Sequence, residues 1–101
     1  MREISIHEDA DEELKAAVAY YESCKTGLGD AFFAEVLRGF QEINEHAFTW
    51  PVVYGEFRRY LLHRFPYALV YRASEQAVFI LAVAHTRRRP GYWRERRVKD
   101  K

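Results

Sequence analysis

The sequence predicts an α+β fold in which a helical hairpin packs on one face of a mostly antiparallel sheet, in the order β-α-α-β-β-β. Three observations carry this expectation. Apolar residues recur at helical spacing between Ala10 and Ala47. Two glycines, Gly27 and Gly29, interrupt that stretch once. After Trp50-Pro51 the spacing changes, and β-branched and aromatic residues dominate as far as His85.

Each element has its own signal. Arg2 to His7 alternates, with Ile4 and Ile6 on one side, as in a short strand with one buried face. Glu8, Asp9, Asp11, Glu12 and Glu13 then crowd the first turn of a helix, where the helix dipole favours anions. Ala10, Leu14, Ala17, Val18 and Tyr21 form its apolar face. A second helix is expected to start near Asp30, a fitting N-cap, with the stripe Phe32, Phe33, Val36, Leu37, Phe40, Ile43 and Ala47. Three strands follow: Val52–Leu62, Phe65–Arg72 and Val78–His85. Pro66 belongs at the start of its strand, where a missing N–H is harmless. Ser74-Glu75-Gln76 is the expected turn, although no glycine marks it. The run from Val78 to Ala84 is apolar on both faces and belongs in the middle of the sheet. The other face of the sheet is expected to be free for function. A basic tail, residues 86–101, closes the chain and has room for one helical turn.

The length of 101 residues suits a single domain spanning 1–101, able to bury roughly two-thirds of its unfolded surface. A hydrophobic content of 49% excludes disordered and low-complexity classes. No run of 18 apolar residues offers a transmembrane helix, so no membrane partner is expected. The charged start, MREISIHEDADEE, has no apolar stretch for a signal peptide. Cys24 is alone and has no internal disulfide partner, so a reducing cytoplasm is the expected location.

A net charge of +1 conceals a division. Residues 1–55 hold four Lys/Arg against eleven Asp/Glu, a net of −7, whereas residues 56–101 hold twelve against four, a net of +8. Such a basic half attracts nucleic acid or an acidic protein.

Common catalytic patterns are missing: there is no glycine-rich phosphate loop and no G-x-S-x-G elbow. His7, His46, His63 and His85 are scattered and only one cysteine is present, so neither a metal nor another cofactor is expected. Cys24, at a helix end, reads as a partly buried thiol rather than a nucleophile. The remaining signal is cationic. Arg58, Arg59, His63 and Arg64 occupy one strand and its turn, and Arg72 ends the next. His85, Arg87, Arg88 and Arg89 follow the last strand, with Tyr92 and Trp93 just beyond. If the strands are neighbours, these ends can converge and hold phosphates through guanidinium contacts. An imidazole among arginines suits a general base, and metal-free RNA cleavage needs only a base, an acid and cations for the phosphorane. Tyr92 and Trp93 either stack on bases or pack on the sheet edge.

The stretch from Phe57 to Arg72, FRRYLLHRFPYALVYR, followed by Ile80 to Trp93, ILAVAHTRRRPGYW, resembles the RelE/ParE family of toxins from type II toxin–antitoxin modules, the plasmid stabilisation proteins. The likeness covers nearly the whole chain, and the family fold has the element order read above. It implies a small acidic cognate antitoxin that lays a helix and an extended segment over the toxin. Two targets stay open. RelE-type members cleave mRNA in the ribosome, and ParE-type members poison DNA gyrase. For a ribonuclease, the resemblance assigns Arg59, His85, Arg88 and Tyr92 as the catalytic set. Leu61 stands where the family's second strand cation belongs, and losing one such charge costs about 10²–10³ in rate. That departure and the arginine-rich close favour the ParE-like reading, with Arg58, His63, Arg64, Arg87, Arg89 and Trp93 contacting the target. A non-toxic relative that only binds its antitoxin is the third reading.

Overall fold

In the computed structural model, which describes residues 1–98, the chain runs β1 (Glu3–Ile6), α1 (Glu8–Cys24), α2 (Leu28–Glu45), β2 (Val52–Tyr54), β3 (Phe57–Leu61), β4 (Tyr67–Ala73), β5 (Ala77–His85) and a short 3-10 helix, Tyr92–Glu95. One sheet holds the strands in the order β1-β5-β4-β3-β2. β1 runs parallel to β5, and the other neighbours are antiparallel. Both helices lie on one face, which is the predicted α+β arrangement.

The helices form where their apolar faces require. Ala10, Leu14 and Ala17 of α1 are buried, and the His7 imidazole caps the helix by accepting the Asp9 N–H at 2.9 Å. α2 starts at Leu28, earlier than the expected start near Asp30. Its N-cap is Gly27, in the left-handed region at φ 89°, which glycine enters without steric cost. The capping acceptor comes from α1: the Glu22 carboxylate takes the N–H groups of Gly27 and Gly29, each at 2.9 Å. Phe32, Val36 and Ile43 are fully buried, but Phe33 and Leu37 are 41% and 47% exposed, outside the stripe assigned to them. Each lies one residue, about 100° of rotation, beyond a buried neighbour, so the buried stripe is narrower than expected.

The expected strand Val52–Leu62 is two strands, β2 and β3. Gly55, at φ 56°, turns the chain between them. The turn after β4 forms without glycine, because the Ser74 hydroxyl accepts the N–H groups of Gln76 and Ala77 at 3.2 and 3.1 Å. β5 is largely buried, as its two-sided apolar run predicts, but it lies between β1 and β4, next to the edge strand, and the middle place expected for it belongs to β4.

The core between helices and sheet includes Leu14, Phe32, Val36, Ile43, Leu69, Tyr71, Val78, Ile80 and Val83. The opposite face of the sheet is not free, as had been expected. Val70, Leu81, Ala82, Ala84 and Trp93 form a second buried cluster there, with Phe57, Phe79, Tyr92 and Val98 packed around it. The apolar outer side of β5 needs a cover, and the tail supplies one through Trp93. Of the tail, residues 99–101 lie outside the described residues. Among the described residues, no helix is long and apolar enough to cross a membrane.

Candidate functional site: a cationic end and an ion-pair clasp

β3 and β5 both run antiparallel to β4, so their C-terminal ends emerge at the same end of the sheet. The loops that follow are tied together, because the Thr86 N–H donates to the Pro66 carbonyl at 2.8 Å. The first loop is held from below by Glu35 of α2. This buried carboxylate accepts the N–H groups of both His63 and Arg64. Two amide donors on a buried carboxylate satisfy it without a cation. The Arg64 guanidinium lies over the Phe65 ring, 5.3 Å from its centroid. After β5, the His85 imidazole accepts the Arg87 N–H through Nδ1 at 3.0 Å, and its carbonyl accepts the Arg88 N–H at 3.1 Å. The His85 ring stands edge-on to Tyr67, with centroids 5.0 Å apart. One end of the molecule therefore gathers His63, Arg64, His85, Arg87, Arg88 and Arg89. All but His85 are exposed, and His85 is half-buried.

A second construction fastens the tail. Beyond Ile6, β1 no longer covers the edge of β5, and side chains continue the ladder there. Glu13 of α1 accepts the Val83 N–H at 2.9 Å, and Arg96 donates to the Leu81 carbonyl at 3.0 Å. The two side chains also bind each other as a fork, with Arg96 donating to both carboxylate oxygens of Glu13. Their side chains are only 15% and 12% exposed, so the pair is largely desolvated. The Tyr92 hydroxyl donates to the same carboxylate at 2.6 Å. Burial, and then that hydrogen bond to Glu13, push the Tyr92 phenol well above its ordinary pKa, so it keeps its proton. Arg88 lies 3.5 Å from Glu13 and 3.7 Å over the Tyr92 ring. Glu13 thus draws α1, β5 and the tail to one point.

The remaining predicted residues are placed elsewhere. Arg58 donates to the Phe48 and Trp50 carbonyls, at 3.2 and 2.7 Å, and so braces the loop after α2 at the far end of the sheet. Arg72 lies at that end too, over the rings of Phe57 and Phe79. Arg59 is exposed on the tail side, because its neighbour Tyr60 faces the helices. His85 pairs across the ladder with Tyr67, which packs on the helix side. Arg59 and His85 therefore project from opposite faces, while His85, Arg88, Glu13 and Tyr20 line one shallow pocket of about 190 Å³. Trp93 is buried against Phe57 and Tyr54, with ring centroids 6.4 and 6.0 Å away, on the sheet face rather than its edge. Cys24 is exposed, not partly buried. Among the described residues, no three His, Cys, Asp or Glu side chains gather as metal ligands.

Sequence reasoning missed Glu13, Arg96 and Glu35. Glu13 was one acid among five at a helix start, and Arg96 one cation among many. Glu35 offered a usable signal: it precedes Val36, on the flank of the apolar stripe, where a carboxylate is partly buried and needs donors.

The chain matches the family model described as "ParE toxin of type II toxin-antitoxin system, parDE" over residues 4–90, which stops just short of the Tyr92–Trp93 cover. No curated relative matches the sequence. Among solved structures, it is similar to a chain of the chromosomal ParDE TA system from P. aeruginosa, with a TM-score of 0.69 and 15% identity over 84% of this chain and 96% of that one. At that identity the structural likeness concerns the fold, whereas the family model spans most of the sequence. The protein belongs to the ParE family of toxins of type II toxin–antitoxin systems.

Proposed function

We propose that this ParE-family toxin arrests growth by binding DNA gyrase and trapping it on cleaved DNA, and that a small acidic antitoxin neutralises it. The observation that carries the proposal is the cationic end, in which two loops from separate strands are anchored to each other and to Glu35. Loops whose backbone is already fixed lose little further backbone entropy when their cations meet an anionic partner. The set Arg59, His85, Arg88 and Tyr92, which the resemblance assigns to ribosome-dependent mRNA cleavage, lends less support to its own reading. Arg59 and His85 lie on opposite faces of the sheet, and the Tyr92 hydroxyl is already engaged by Glu13. Action by binding, without catalysis by the toxin itself, fits that arrangement better.

Antitoxin docking is supported by α2. Phe33 and Leu37 are exposed one turn apart, the spacing a partner's apolar segment can cover. The double variant F33D/L37D is expected to remain toxic when its antitoxin is co-expressed, and wild-type-like rescue by the antitoxin would contradict this. For the target, purified toxin added to a gyrase supercoiling reaction is expected to stop supercoiling and accumulate cleaved DNA. Unchanged supercoiling with no trapped cleavage would refute the proposal.

A further inference from the structure

We infer that the cationic end binds the phosphate backbone of double-stranded DNA directly, without a requirement for base sequence. The inference deepens the proposed function, because it names the DNA of the gyrase complex as one surface this end touches. Arg64, Arg87 and Arg89 are exposed, and among the described residues no carboxylate lies within ion-pair distance of them. Arg88 is 55% exposed in its side chain and sits at a long 3.5 Å from Glu13, so one face of it remains open. The nearest acid under the first loop, Glu35, is turned inward onto two backbone amides and does not neutralise the patch from outside. Three adjacent arginines repel one another, and an array of phosphates relieves that repulsion through charge-assisted hydrogen bonds.

The form of the nucleic acid follows from what the tail aromatics do. Trp93 is buried on the sheet, and Tyr92 has the Arg88 guanidinium 3.7 Å from its ring centroid, Arg96 at 5.1 Å and its hydroxyl on Glu13. Trp93 therefore offers no face on which an unpaired base can stack, the usual hold on single strands, and the exposed Tyr20 beside His85 and Arg88 is a single ring rather than a stacking series. Contacts limited to phosphates position a duplex without reading it. With four arginines, Arg64, Arg87, Arg88 and Arg89, engaged, the logarithm of the affinity should fall with the logarithm of salt at a slope of about −3 to −4.

Fluorescence anisotropy of the purified toxin with labelled duplexes of about 20 base pairs, between about 50 and 200 mM salt, tests this. The expected result is that slope for duplexes of unrelated sequence. It should shrink by about 2 in R87Q/R89Q and stay unchanged in K15Q, whose exposed lysine on α1 pairs with Asp11. No binding at the lowest salt would overturn the inference, as would an unaltered slope in R87Q/R89Q or tighter binding to the corresponding single strand. A patch that instead takes an acidic polypeptide while ignoring DNA also overturns it. The gyrase reaction separates the two ideas. DNA binding without gyrase inhibition refutes the proposed function alone, and R87Q/R89Q that loses DNA binding yet still traps gyrase refutes any part for this contact in poisoning.

Discussion

Glu13 is surrounded by donors: the Val83 amide, the Tyr92 hydroxyl and the Arg96 fork. Removing one partner of a desolvated ion pair leaves the other charge uncompensated, which costs about 3–5 kcal/mol. E13A should therefore lose stability in that range in urea unfolding, and E13Q, which keeps an acceptor, should lose less. A loss below about 1 kcal/mol in E13A would show that the clasp is not closed in solution. Two phenols report on packing at two places, Tyr71 in the core under the helices and Tyr92 at the clasp on the other face. Burial raises the Tyr71 phenol to about 12, although the nearby charges of Arg58 and Arg2 pull it down, and the buried Tyr92 is raised further by Glu13. Both hold their protons more tightly folded than unfolded. Their contribution is therefore complete below pH 10 and is lost as pH rises above it, for Tyr71 through about 12. The melting temperature should fall steeply across that window in the wild type and less steeply in Y71F, and equal slopes would contradict the assignment. None of this was legible in the sequence, because five acids at a helix start look alike until the fold turns one of them toward the bare edge of β5.

At the scale of elements, periodicity located both helices and the strands β4 and β5, since one buried face leaves a regular trace. It failed where local chemistry decides. Gly55 splits the long strand, and Glu22 of α1 moves the start of α2 back to Leu28. The hairpin also depends on close approach: a Cβ at Gly29 would lie 2.6 Å from the Val18 carbonyl oxygen. Because that neighbour is backbone, G29A should destabilise by about 1–3 kcal/mol, measured by denaturation. A neutral or stabilising effect would mean that the helices sit farther apart. The tail was legible in part. Tyr92 and Trp93 stand among arginines and allow either stacking on bases or packing on the sheet edge, and the bare outer side of β5 draws Trp93 onto the sheet face instead. W93A should cost about 3 kcal/mol through loss of the second cluster, and a cost near zero would mean that the tail does not cover the sheet.

Over the whole molecule, the split between an acidic first half and a basic second half becomes an arrangement in space. The meander from β3 to β5 brings His63 and Arg64 to the same end as His85 and Arg87–Arg89, and that much followed from the order of strands alone. Arg58, Arg59 and Arg72 do not join them. Arg58 and Arg72 lie toward the far end of their strands, and alternation turns Arg59 to the face opposite His85. The residues that the resemblance would assign to catalysis are divided, and the exposed cations His63, Arg64 and Arg87–Arg89 are gathered at one end. The most direct measurement is therefore the order in which synthesis fails after the toxin is induced alone, followed by pulse labelling of DNA and protein. DNA synthesis should stop first, and R87Q/R89Q should delay the arrest. Protein synthesis stopping first, with new mRNA ends inside codons, would contradict the proposed function.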